Sequence, residues 1–235
     1  MNQIKKTTEY ALVIALIVIF GIITYQRNFT WKNELTLWSD TAMKSPGKGR
    51  PHNNLGIAYL SEGDPDRAIV EINRALATGP TPYRHVALGN AYRYKGWINP
   101  AITQYRNALS LKPDYAEVYV LIGNAYAGRG LMDKAIAEYK KTIKLKPSYL
   151  EAYVNLASAY GSKGLYKKTI HELEKALQID PNNPDVHFNL GVTYYSMGQT
   201  EKAASEYRKV LIVRPNDPEA LRNLNAIKNR SFNPK

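Results

Sequence analysis

The chain has 235 residues and 44% hydrophobic content, enough for a substantial core, and no cysteine, which excludes disulfide staples, thiol catalysis and cysteinyl metal sites. A formal net charge of +12 favours an acidic partner, an anionic glycan or lipid headgroups. The basic surplus gathers in 83–149 and in the tail 218–235, with no recognition-helix, zinc-finger or single-strand-binding pattern beside it, so nucleic acid is not expected as the ligand.

In chain order, Lys5-Lys6 precede an apolar run, YALVIALIVIFGIITY, over 10–25. With 7–9 included it would make a helix about 29 Å long, close to a bilayer core. No small-residue cleavage pattern follows it. The expectation is an uncleaved transmembrane signal anchor at 10–26, contacting the lipid bilayer, after a cytoplasmic amino terminus at 1–9. Lys5, Lys6 and the free amine before the run outweigh Arg27 and Lys32, offset by Glu34, after it. That bias places the repeats described below on the periplasmic or extracytoplasmic side. Trp31, Leu35, Trp38 and Ala42 recur at helical spacing, predicting an N-terminal capping helix over 28–45 that imitates the second helix of a hairpin.

The rest is periodic. Leu55-Gly56, Leu88-Gly89, Ile122-Gly123, Leu156-Ala157 and Leu190-Gly191 recur at near-constant intervals. So do the small residues Ala68, Ala101, Ala135, Thr169 and Ala203, the turn glycines Gly63, Gly96, Gly130, Gly164 and Gly198, and the prolines Pro80, Pro113, Pro147, Pro181 and Pro215. A small residue lets a neighbouring helix approach closely, and proline cannot supply the amide that a helix interior needs. The frame predicts five helical hairpins, 49–81, 82–115, 116–149, 150–183 and 184–217, then a capping helix at 218–230 and a loose end at 231–235. Many of the 18 tyrosines fall at the repeated packing offsets, which assigns them to helix–helix packing.

These residues resemble the tetratricopeptide repeat (TPR) pattern. The resemblance implies an all-α fold, an alpha-alpha superhelix or TPR solenoid, here preceded by one transmembrane helix. A narrower resemblance lies in Arg27-Asn28, Trp31, Leu37-Trp38, Asp40, Lys44-Ser45-Pro46, Arg50-Pro51 and Asn54-Leu55-Gly56. These are similar to the junction between the last membrane helix and the first repeat in multi-spanning proteins with TPR tails, protein O-mannosyltransferases among them. This chain lacks their catalytic membrane part.

In arrays of this kind the first helix of each hairpin lines the concave surface. Projecting the helical period places Asn54, Asn90, Asn124 and Asn155 there, followed by Asn189 and Asn223. Arg93, Tyr94 and Tyr195 lie further along the same helices. An amide offers both donor and acceptor groups, so such a row could clamp the backbone of an extended peptide. The position of Asn54, Asn155, Asn189 and Asn223 resembles the asparagine ladder of O-linked N-acetylglucosamine transferases. Alternatively the amides bond to neighbouring groups across the repeat interface. Val86, Val120 and Val154 stand where a two-carboxylate clamp would want polar groups, and with Phe188 they suggest apolar pockets.

His52, His85, His171 and His187 show no metal-ligand spacing, and there is no phosphate loop or nucleophile elbow. No enzyme activity, metal or cofactor is expected. The function expected is a membrane-anchored adaptor that binds a peptide segment or protein in an envelope complex. The alternatives are a self-assembling scaffold, with a second copy as partner, and an accessory subunit of a membrane glycan-transfer or export system.

Overall fold

The structure, a computed structural model, describes residues 2–232, with the side chains of 10, 12–25, 28 and 31–229. It is helical throughout the described residues, and these divide into two compact units, Met1–Leu111 and Lys112–Lys235. The first unit holds α1 (Asn2–Thr30), α2 (Glu34–Lys44), α3 (Gly49–Ser61), α4 (Pro65–Ala77), α5 (Pro82–Tyr94) and α6 (Ile98–Leu111). The second holds α7 (Ala116–Ala127), α8 (Met132–Leu145), α9 (Leu150–Ser162), α10 (Tyr166–Ile179), α11 (Pro184–Ser196), α12 (Thr200–Val213) and α13 (Pro218–Phe232). In the first unit α3/α4 and α5/α6 are antiparallel hairpins, α2 packs on α3, and α4 packs on α5. In the second, α7/α8, α9/α10 and α11/α12 stack in chain order and α13 closes the series against α12.

The expected membrane anchor is corrected. Among the described residues no helix is long and apolar enough to cross a membrane. The single-pass topology, the bilayer contact at 10–26 and the placement of the repeats outside the cytoplasm rested on that span and fall with it. The side chains of the expected cytoplasmic stretch 1–9, that of Gln26, and residues 233–235 of the expected loose end lie outside the described residues. The closing helix runs to Phe232, two residues beyond the expected 218–230.

Local chemistry explains the helix limits. Asn33 accepts from the Thr36 amide at 2.9 Å while the Thr36 hydroxyl accepts from the Asn33 amide, a reciprocal cap that starts α2. Asp64, Thr81 and Asn183 cap α4, α5 and α11, each followed by a proline whose missing amide the first helical turn does not need. The turns inside the hairpins share one device. Gly63, Gly96, Gly130, Gly164 and Gly198 take φ between 70° and 77°, a region closed to most side chains. The residue after each glycine donates back to a tyrosine carbonyl: Asp64 to Tyr59, Trp97 to Tyr92, Leu131 to Tyr126, Leu165 to Tyr160 and Gln199 to Tyr194, all at 2.8–3.0 Å.

Within a hairpin the two helices meet at one tight point. A Cβ on Gly191 would lie 2.6 Å from Cε1 of Tyr207, and Gly89 and Gly123 face Tyr105 and Tyr139 as closely. Gly56 faces Ile72 instead. Only α9 carries a larger residue here, Ala157, and the facing side chain is the shorter Leu173 in the same core cluster. Tyr105, Tyr139 and Tyr207 are almost wholly buried, with Ile72 and Leu173 at the corresponding positions. Gly123→Ala is therefore expected to destabilise the chain by roughly 1–3 kcal/mol through overpacking. Gly123→Ala with Tyr139→Leu, which copies the α9/α10 pairing, should lose less than the two single changes added together. Denaturant unfolding of the four chains gives the coupling, and strict additivity would refute the contact as described.

Candidate functional site

The buried tyrosines end in hydroxyls that meet the asparagines. In the first unit Tyr105 donates to Oδ1 of Asn90 at 2.8 Å, and the Arg93 guanidinium hydrogen-bonds the same phenol oxygen. Burial raises the Tyr105 pKa, and Arg93 opposes that shift. Asn90 is half-buried, while Arg93 and Tyr94 are exposed. Asn54, also in this unit, is half-buried and accepts a long bond from the neighbouring Asn53 amide at 3.4 Å.

In the second unit Tyr139 donates to Oδ1 of Asn124 at 2.8 Å. The Asn155 amide donates to that same oxygen at 3.2 Å and to Oε1 of Glu151 at 3.4 Å. Asn124 is exposed and Asn155 half-buried. The spacing between those two positions recurs at Ser158 and Asn189, and at Val192 and Asn223. Asn189 is half-buried, and its backbone carbonyl accepts from Thr193 at 2.7 Å. Asn223 hydrogen-bonds the Tyr207 hydroxyl. Tyr195 and Asn223 come together in a depression of about 200 Å³, completed by Val192, Tyr207 and Ala226.

The expected apolar pockets are changed by this geometry. Val120 is buried in the core at 2% exposure and lines no groove, and Val154 packs against the core of the third hairpin's neighbour, α9/α10. Three of the histidines tie neighbouring segments together. His52 Nδ1 lies 2.6 Å from Glu71 and its Nε2 3.0 Å from the Pro46 carbonyl; His187 repeats the arrangement with Glu206 at 2.7 Å and Pro181 at 3.1 Å. His85 meets Gln104 at 2.8 Å. Among the described residues no group of three or more histidine, aspartate or glutamate side chains is placed to hold a metal ion.

Sequence reasoning missed Tyr105, Tyr139, Tyr207 and Glu151 as members of the site, having assigned the tyrosines to packing alone. A signal was present: Asn90 and Asn124 each stand fifteen residues before a tyrosine of the facing helix.

The Tyr139 hydroxyl is pushed up to about 12, first by burial and then by the nearby Glu151 carboxylate. The folded value exceeds the unfolded one of 10.0, so the stability this group contributes is complete below pH 10 and is lost as pH rises through 12. Alkaline titration followed by tyrosinate absorbance should show Tyr139, Tyr105 and Tyr207 ionising after the exposed tyrosines. Tyr139→Phe should remove one late-titrating phenol; an unchanged late phase would contradict the assignment.

Family comparison agrees with this architecture. Models described as TPR repeat match residues 89–130, 123–164 and 159–198, and one described as tetratricopeptide repeat matches 184–217. Together they span more than half the chain, which belongs to the tetratricopeptide repeat proteins, a class of all-helical protein-binding scaffolds. No curated protein matches the chain, and nothing supports the junction resemblance to O-mannosyltransferases. Among solved structures, MamA is 26% identical over 70% of this chain and 97% of its own, with a TM-score of 0.62. MamA from residue 41 onward of Desulfovibrio magneticus RS-1 is 20% identical over 72% and 97%, with a TM-score of 0.65. YrrB, described as a TPR protein with an unusual peptide-binding site, is 19% identical over 79% and 96%, with a TM-score of 0.61.

Proposed function

We propose that this chain is an adaptor that holds an extended segment of a protein partner along the first helices of its hairpins, and that it binds without catalysis. The observation that carries this reading is the recurrence of amides at two fixed positions of those helices, with Asn90, Asn124 and Asn155 beside a tyrosine hydroxyl or another amide. An extended peptide leaves its backbone N–H and C=O groups unpaired, and side-chain amides can satisfy both kinds. In the first unit Asn90 and Arg93 form one such polar station. In the second, Asn124 with Asn155 forms another, and the depression at Tyr195 and Asn223 offers a small apolar seat rimmed by an amide. The peptide-binding description of YrrB, a relative in fold, is consistent with this use.

The test is selection of binders from a random-sequence peptide library displayed against the full chain, followed by titration of the best peptide. Changing Asn90, Asn124 and Asn155 together to alanine should weaken binding by at least about tenfold, because each lost hydrogen bond contributes roughly 0.5–1.5 kcal/mol. Helical content by circular dichroism should be retained. Equal binding by the triple variant would move the site away from these helices.

A further inference from the structure

The amide station in the second unit has a fixed polarity, and one carboxylate sets it. Glu151 can only accept hydrogen bonds, so the Asn155 amide must turn its –NH2 toward it. That same –NH2 reaches Asn124, which must answer with its oxygen, 3.2 Å away. Tyr139, whose hydroxyl lies 2.8 Å from that oxygen, supplies the second donor. Both lone pairs of the Asn124 oxygen are thereby used. Reversing Asn124 would set two –NH2 groups against each other, and reversing Asn155 would set its oxygen against a carboxylate. The Tyr149 hydroxyl donates to the other Glu151 oxygen at 3.3 Å and so helps to hold the carboxylate in place.

Resting on the peptide-binding reading above, we infer that Glu151 is a positioning residue that makes Asn124 a donor and Asn155 an acceptor toward the ligand, with the Tyr139 hydroxyl filling the second lone pair of the Asn124 oxygen. What remains for a ligand is the –NH2 of Asn124 beside the oxygen of Asn155. In an extended chain the N–H and C=O of one residue point to the same side and can both be paired by one neighbour, as in a hydrogen-bonded pair of an antiparallel ladder. The Asn124–Asn155 pair matches that pattern: the Asn124 amide donates to the peptide carbonyl and the Asn155 oxygen accepts from the peptide N–H. Recognition at this station therefore reads the backbone of one residue of an extended segment, independent of its side chain. The α9/α10 hairpin cannot repeat the device, because Leu173 has no hydroxyl and Ser158 stands where the amide would be.

Two measurements test this on the full chain. In the free protein, side-chain amide exchange followed by NMR should be slow for the Asn155 –NH2 and fast for the Asn124 –NH2. Adding the peptide selected from the random library should slow the Asn124 –NH2. Glu151→Ala should weaken that peptide by about tenfold, a change of ~1.4 kcal/mol. Glu151→Gln, which keeps an acceptor oxygen but no charge, should stay within about threefold of the native chain; that rescue separates orientation from net charge. The opposite order of exchange, or native affinity in the alanine variant, would overturn the polarity while leaving the peptide-binding reading intact. Failure of the native chain to select any peptide would overturn both.

Discussion

The fold depends on one contact: the missing side chain on the first helix of a hairpin that admits a ring from the second. Gly89, Gly123 and Gly191 have no room for a Cβ, because Tyr105, Tyr139 and Tyr207 already occupy it. A flat ring pressed against backbone fills its space without voids, and interiors packed at crystal density punish both gaps and excess. The other two hairpins solve the same problem with aliphatic side chains, Gly56 against Ile72 and Ala157 against Leu173. Everything else in the hairpin, including the left-handed glycine turn and the carbonyl that it caps, keeps the helices aligned so that this contact can form.

That packing solution also creates the site. A tyrosine buried for its ring must still place its hydroxyl against a partner. The hydroxyls of Tyr105 and Tyr139 are received by Asn90 and Asn124. Where the ring is replaced by Ile72 or Leu173, the position fifteen residues earlier is Ile57 or Ser158, and no amide is present. Tyr207 faces Val192 at that position, and its hydroxyl is taken by Asn223 of α13 instead. The amides on the first helices are thus coupled to the core: the ring stabilises the hairpin, and the hydroxyl orients the group that faces a ligand.

Much of the fold was legible because its determinants are local. A glycine at positive φ, a proline after a helix and a cap residue before one each leave a mark within a few positions, and repetition makes those marks unmistakable. The site was only half legible. Helical periodicity places Asn124 and Asn155 on a face, but which atoms each amide has left depends on Tyr139 across the hairpin and on Glu151 one turn before Asn155. The apolar run near the amino terminus misled for a related reason: hydropathy alone was read as a span, whereas among the described residues no helix is long and apolar enough to cross a membrane.

The histidines show how a single repeat position can be refitted without changing the fold. In α7, Tyr119 donates its hydroxyl to the Pro113 carbonyl at 3.0 Å and ties the preceding loop to the helix. Its counterparts His52 and His187 reach the carbonyls of Pro46 and Pro181 in the same way through Nε2. Their second nitrogen then goes to Glu71 or Glu206; these acids also pair with Arg74 and Lys209, as the equivalent Glu138 pairs with Lys141 at 2.9 Å. Each of these two imidazoles thus bridges a loop carbonyl and a carboxylate of the second helix. A buried pair of this kind adds little net stability over an apolar substitute. What it adds is direction: one ring fastens the loop behind it and the second helix beside it, at the first and last hairpins of the series.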